Sequence, residues 1–371
     1  MQKHILAYQN KIKELSVPDD FSANIVSVPD LFAHYKDVNF LYPEKNNKIE
    51  PFMPLIERNW QAARRAEKEI LWTLMFNNPE IRSMGSVTFW RSTKNDWVAQ
   101  HLTSSGYPSA VLAMVLTAQV EGMEKGCRSI QNWFQPSNKY AAKVFGSIVN
   151  TVGDKYSAVQ SFDYFEIGPK SIKKNTKIKN FAIKKCVNQK PSGIYNFAKK
   201  VRGDIYALAE NLDNEDIELK DVDNLYQKYG LSRKRHIWMA FYKSKPVGAI
   251  IAYRGPFGFN FSLFENRCDL LIDNNLEDDM AQVMCAHLIK EASKAYPFGT
   301  KKDYPLHCLN ITIEKSSSHI LEQMGAKKIR SYNQSICMNE GFEKWFGHVE
   351  KIYLSVMKIM EKRYKGKFFP N

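Results

Sequence analysis

The order of elements in the first half of this 371-residue chain returns in its second half, and that repetition limits the available folds more than any single motif. GSVTFWRS (Gly85–Ser92) and DWVAQHL (Asp96–Leu102) carry β-branched and aromatic residues on either side of TKN, which predicts a hairpin. A helix follows from Pro108 to about Glu124, ended by Gly126, then a strand over Ser129–Gln135, a helix over Asn138–Gly153 and an alternating strand over Ser157–Ile167. Further on, HIWMAFYKS, VGAIIAYRG and FNFSLFENRCDLLID read as strands. They lead into a helix over Leu276–Tyr296, a strand LHCLNITI, a helix SSSHILEQMG and a strand KIRSYNQSICM. A mixed α/β chain with α+β features, built from two tandem copies of one unit, is the expectation.

Between the copies lies PKSIKKNTKIKNFAIKKCVNQK (Pro169–Lys190), which is rich in lysine and contains no acid. Such a break marks a boundary. The expected organisation is a helical extension over 1–29, a first domain over 30–168, a basic linker over 169–205, a second domain over 206–340 and a basic C-terminal helix over 341–371 that packs on the second domain. The formal charge of +14 predicts attraction to something anionic. The lysine-rich linker is either a solvated connector or a contact for tRNA or another anionic polymer.

The six cysteines are scattered and form no CxxC pair, so neither a metal site nor a disulfide framework is expected. No run of eighteen apolar residues and no signal-peptide pattern occurs, which predicts a cytoplasmic protein with no transmembrane segment.

Within the repeat, QPSNKYAAKVFGSIVNTVG opens a helix with Asn138, places the small Ala141 three residues later and the aromatic Phe145 at the seventh position. IEKSSSHILEQMGAKKI repeats the helix and its terminal Gly325–Ala326. This spacing resembles the GNAT acyltransferase superfamily over about residues 30–168 and 206–340, in a plan shared with the FemABX-like aminoacyl transferases. The resemblance implies a sheet that splays after its fourth strand to admit the pantetheine arm of acetyl-CoA or a longer acyl-CoA. It also implies that a loop between the fourth strand and the next helix holds the pyrophosphate.

Thr103, Ser104, Ser105, Gly106 and Ser109 fall in that position. The first turn of a helix has unpaired N–H donors and a partial positive end, glycine permits close backbone approach, and the hydroxyls add donors. The same cluster also serves as an ordinary helix cap, and the residues alone leave both readings open. Asn138 joins this donor-binding set through the resemblance. In the second half Glu277, Asp278 and Asp279 occupy the corresponding turn and would repel a pyrophosphate.

Acyl transfer to an amine needs a base, and His101, on the strand beside the expected cleft, has a suitable ordinary pKa of about 6.5. A structural histidine is the alternative. Polar residues crowd what should be an apolar central strand: Asn260, Glu265, Arg267 and Asp269 predict either a lined acceptor pocket or an internal hydrogen-bonded cluster. In the first case Glu265 is a second base, Arg267 receives a carboxylate, and Asn260 and Asp269 contact the acceptor. The tyrosine that many family members use as an acid is replaced by Phe145 and, in the second copy, by Leu321.

The sequence therefore predicts an acyl-CoA-dependent N-acyltransferase acting on a small-molecule or amino-acid-like amine, with no metal. Its first domain would hold the donor and its second would shape the acceptor pocket. A FemABX-like aminoacyl-tRNA-dependent transferase and a non-catalytic ligand-binding or scaffold protein are the alternatives.

Overall fold

Alternating apolar residues along the chain feed opposite faces of a single sheet. In the computed structural model, which describes residues 22–23, 26–78, 83–105, 117, 121–172, 179–187 and 192–364, the strands are β1 (Ser22–Ala23), β2 (Leu71–Asn78), β3 (Ser83–Arg91), β4 (Asp96–Ser105), β5 (Ser129–Phe134), β6 (Ser157–Ile167), β7 (Phe181–Lys185), β8 (Lys234–Tyr242), β9 (Lys245–Arg254), β10 (Arg267–Ile272), β11 (Leu309–Glu314) and β12 (Lys327–Met338). Ile237, Met239, Ala249 and Ile251 enter one apolar cluster, while their neighbours Trp238, Ala240, Ile250 and Ala252 enter another. That is the period of two expected of strands covered on both faces.

The strands form one twelve-stranded sheet in the order β1-β2-β3-β4-β5-β12-β6-β11-β10-β9-β8-β7. Among the described strands only β4–β5 and β10–β11 pair in parallel, once in each half. Two copies of a mixed unit are present, as the resemblance implies, but they are not separate sheets. The last strand of each half is interleaved with that of the other: β12 lies between β5 and β6, and β6 lies between β12 and β11. One core cluster accordingly runs across both halves, from Trp60 and Trp133 to Phe264 and Tyr304.

The lysine-rich segment contributes β7, which pairs with β8 at the sheet edge from Phe181↔Tyr242 to Lys185↔Trp238. Phe181 and Ile183 are half-buried there while Lys184 and Lys185 face out, and lysines on an edge strand discourage pairing with a further chain.

The C-terminal helix Phe342–Tyr364 buries Phe342, Trp345, Phe346, Val349, Ile352 and Tyr353, at the spacing of one helical face. It packs on the first half, against Val144, Ile148 and Val152, and not on the second as the sequence suggested. Interleaving is the reason, because β12 ends beside β5 and delivers the chain to the first half's helices.

Candidate functional site

The site begins where β4 and β5 part. Their pairing runs only from Asp96↔Ser129 to Val98↔Gln131, although both strands continue, β4 as far as Ser105. A bulge turns β4 away: Ser86 faces Thr103 and Thr88 faces Gln100, so His101 and Leu102 together oppose Val87. His101 takes the extra residue's strain with φ at +57°. Beyond the last pair, side-chain amides replace the ladder, with Gln100 Nε2 donating to Trp133 O (3.1 Å) and Asn132 Nδ2 to Ala99 O (2.7 Å). In the second half β10 and β11 stay paired from Arg267↔Asn310 to Leu270↔Ile313, close to where both strands end.

The parting opens a cavity of about 340 Å³. Gln100–Leu102 and Asn132–Gln135 form one wall, and Asn138, Tyr140 and Phe145 form another. Phe40, Tyr42 and Lys45 close a third side. Asn260, Ser262, Phe264 and Tyr332 reach in from the second half. The cavity therefore has walls from both copies of the unit.

His101 lies at this wall, but its ring packs near-parallel to those of Trp60 (5.5 Å between centroids, 12° between planes) and Phe261 (4.5 Å, 9°), which are themselves 5.9 Å apart. Neither ring nitrogen has a hydrogen-bond partner among the described residues, and the residue is 3% exposed. Burial, reinforced by the positive charge of Lys45, pushes its pKa well below 6.5. A neutral imidazole enclosed by aromatic rings holds the bulge in place; it is poorly placed to take a proton from a substrate.

Lys45 is the titratable group the sequence did not single out. It stands in the helix Pro43–Ile49, with Nζ 4.6 Å from the centre of the Phe40 ring and 5.6 Å from that of Tyr42. Its neighbour Glu44 pairs with Arg330 (3.0 Å), and Lys45 itself forms no ion pair among the described residues. Burial and the nearby Arg330 lower its pKa to about 8. The Tyr140 hydroxyl meets that of Tyr353 on the C-terminal helix, and burial raises its pKa.

The expected donor-binding residues divide. Asn138 lines the cavity and also caps its helix, its Oδ1 accepting from Ala141 N (3.1 Å). Thr103, Ser104 and Ser105 belong to β4 and pair with β3; they do not form a loop. Thr103 is buried, its Oγ1 bonded to His34 Nε2 (3.1 Å) and Ser86 Oγ (2.9 Å), and Ser105 Oγ meets the Met84 backbone. Ser104 is exposed. Gly106 and Ser109 lie outside the described residues.

The expected acceptor residues divide as well. Asn260 lines the cavity. Glu265 lies beneath the loop that carries Asn260, with Oε2 accepting from Asn260 N (2.8 Å) and Oε1 unpartnered. Burial raises its pKa to about 7. Arg267 and Asp269 are corrected to internal roles. Arg267 donates to Glu210 Oε1 (2.8 Å), Asp269 Oδ1 (2.8 Å) and Phe264 O (3.2 Å), and its guanidinium stacks 4.2 Å from the centre of the Tyr253 ring. Asp269 also accepts from Tyr206 (2.7 Å) and Thr312 (2.5 Å). Burial alone would raise the Asp269 pKa, but Arg267 and Arg202 hold it below the usual carboxylate range. Charges satisfied in this way have little left for a ligand.

Among the described residues no cluster of His, Cys, Asp and Glu side chains is arranged to hold a metal ion, and no helix is long and apolar enough to cross a membrane.

No family's sequence profile matches the chain, and no curated protein matches it. Among solved structures it is similar to a GCN5-related N-acetyltransferase from Sphaerobacter thermophilus, at 9% identity and a TM-score of 0.44, over 87% of this chain and 97% of that one. A tandem GNAT protein from the clavulanic acid biosynthesis pathway is similar at 6% identity and a TM-score of 0.40, over 76% of this chain and 87% of that one. A GCN5-related N-acetyltransferase-like protein from Streptococcus suis is similar at 11% identity and a TM-score of 0.37, over 84% and 99%. Likenesses at this level are of outline and bear on neither substrate nor site residues.

Proposed function

We propose that the chain transfers an acyl group from an acyl-CoA thioester to the amine of a small molecule, at the cavity between β4 and β5. The supporting observation is the parting of two parallel strands beyond Val98 and Gln131, which leaves a slot beside the bulge with walls from both halves. The thioester arm enters that slot, and the amine approaches from the side of Asn260 and Ser262.

In this reading the amine nitrogen attacks the thioester carbonyl, a C–N bond forms and the C–S bond breaks. Lys45 Nζ, unprotonated above about pH 8, accepts the proton that the amine loses. Phe145 has no proton to give, and the raised pKa of Tyr140 makes it a poor acid. The lysine ammonium then returns its proton to the departing sulfur, so that amine and thioester become amide and thiol.

Incubation with labelled acetyl-CoA and longer acyl-CoAs, followed by mass spectrometry of the retained ligand and of an amine pool, tests the reading. Bound acyl-CoA with label appearing in an amide is the expected result. Failure to bind any acyl-CoA overturns it, as does transfer from charged tRNA in its place with the steep salt dependence of phosphate contacts.

A further inference from the structure

On the other side of the Gly255–Asn266 segment lies a second cavity of about 340 Å³. We infer that it is a binding site for a small oxyanion, carried by a phosphate- or carboxylate-bearing molecule.

Arg58 and Lys302 stand exposed at its rim, and Arg254 is half-buried in its wall. Asp303 is the only acid among its lining residues. Arg58 Nη2 donates to Lys302 O (2.9 Å), which draws the two cationic side chains to one edge. Arg254 has no side-chain hydrogen bond or ion pair within the described structure, although its neighbours are fixed. Asn59 Nδ2 holds Phe257 O at 3.0 Å, and Trp60 Nε1 holds Gly258 O at 2.9 Å.

The buried side of the cavity also offers a donor. Asn266 is 2% exposed, and its Nδ2 finds no acceptor among the described residues. Behind Gly255, outside the lining itself, Arg233 Nη1 is also buried and without a partner among the described residues. A Cβ at residue 255 would sit 3.1 Å from that nitrogen and 2.8 Å from Glu265 Cβ, so glycine is the residue that lets this wall close up. A buried donor without an acceptor is costly, and one that lines a pocket with excess positive charge is complementary to an anion. The site stands apart from the acyl-transfer reading and does not depend on it.

Titration calorimetry and thermal unfolding of the full chain in a zwitterionic buffer test the inference, with sodium phosphate and sodium acetate as probes and sodium chloride at matched ionic strength as control. Saturable heat and a raised Tm are expected with at least one oxyanion; phosphate alone points to a phosphorylated ligand, and acetate alone to a carboxylate. Arg254→Gln is expected to bind about tenfold more weakly, the loss of a charge-assisted contact. Arg58→Gln, at the exposed rim, provides the same test without touching the strand. The inference is overturned if neither oxyanion does more than chloride, or if both variants bind as the unaltered protein does.

Discussion

The rings of His101 and Phe261 lie face to face, 4.5 Å between centroids and 9° from parallel, although one comes from the bulge of β4 and the other from the second half's loop. This stack joins the slot between the parted strands to the loop that forms its far wall. Because burial keeps the imidazole neutral, the unfolded chain binds a proton there at a pH where the native one does not. Native stability therefore falls as pH drops below about 6.5. His101→Asn tolerates the left-handed backbone and does not titrate. The variant should be less stable at pH 8 through loss of the stack, with a shallower decline in acid. Urea unfolding of both proteins across pH 5–8 checks this, and parallel pH profiles would contradict it.

Glu265 titrates in the opposite sense. Its native pKa of about 7 exceeds that of the unfolded carboxyl, so the native state retains a proton between pH 4.5 and 7 that the unfolded state has lost, and stability declines as pH rises through that window. Glu265→Gln keeps an acceptor for Asn260 N and removes the charge. It should be more stable than the unaltered protein by about 3 kcal/mol at pH 8 and nearly equal to it at pH 4.5.

Arg267→Met leaves Glu210 and Asp269 facing each other in the interior without their shared cation. A loss of about 3–5 kcal/mol in urea unfolding is expected. Unchanged stability would return Arg267 to the ligand-binding role that its sequence position suggested.

Lys45→Met and Lys45→Arg should each lower acyl transfer by about a hundredfold or more. The arginine variant preserves the charge over Phe40 and still fails, because it cannot give up its proton. For the unaltered protein kcat/KM should climb with pH and level off above about 8, and this limb should vanish in both variants.

Interleaving makes each half incomplete alone. Fragments 1–190 and 191–371 expressed separately would lack β12 or β6, and each should fail to unfold cooperatively. Co-expressed, they should copurify as one folded complex. A cooperative transition in either fragment alone would contradict the arrangement seen.

Much of the sheet was legible because strands such as DWVAQHL and VGAIIAYRG are short runs rich in β-branched, aromatic and other apolar residues, bounded by turn residues. Which strand lies beside which was not, since apolar composition marks Phe162 and Tyr164 as core residues but not that their neighbours are Tyr332 and Thr312. β7 was hidden for a related reason: a lysine-rich edge strand has the composition of a linker. Of the residues singled out from the sequence, Asn138, taken from the resemblance, and Asn260, a polar residue where apolar ones belong, line the cavity. Lys45 carried no such signal, because its depressed pKa comes from burial and from Arg330 and exists only once the chain has folded. His101 was singled out as a base and is instead a buried part of the bulge, since nothing in AQHLT announces a positive φ.

The crossing of β6 and β12 through the centre of the sheet also limits how the slot can widen. Two lobes on a flexible connector open like a clamshell, but these lobes are laced together by each other's terminal strands and cannot swing apart without tearing the middle of the sheet. The separation of the slot's two walls is therefore set by the sheet itself.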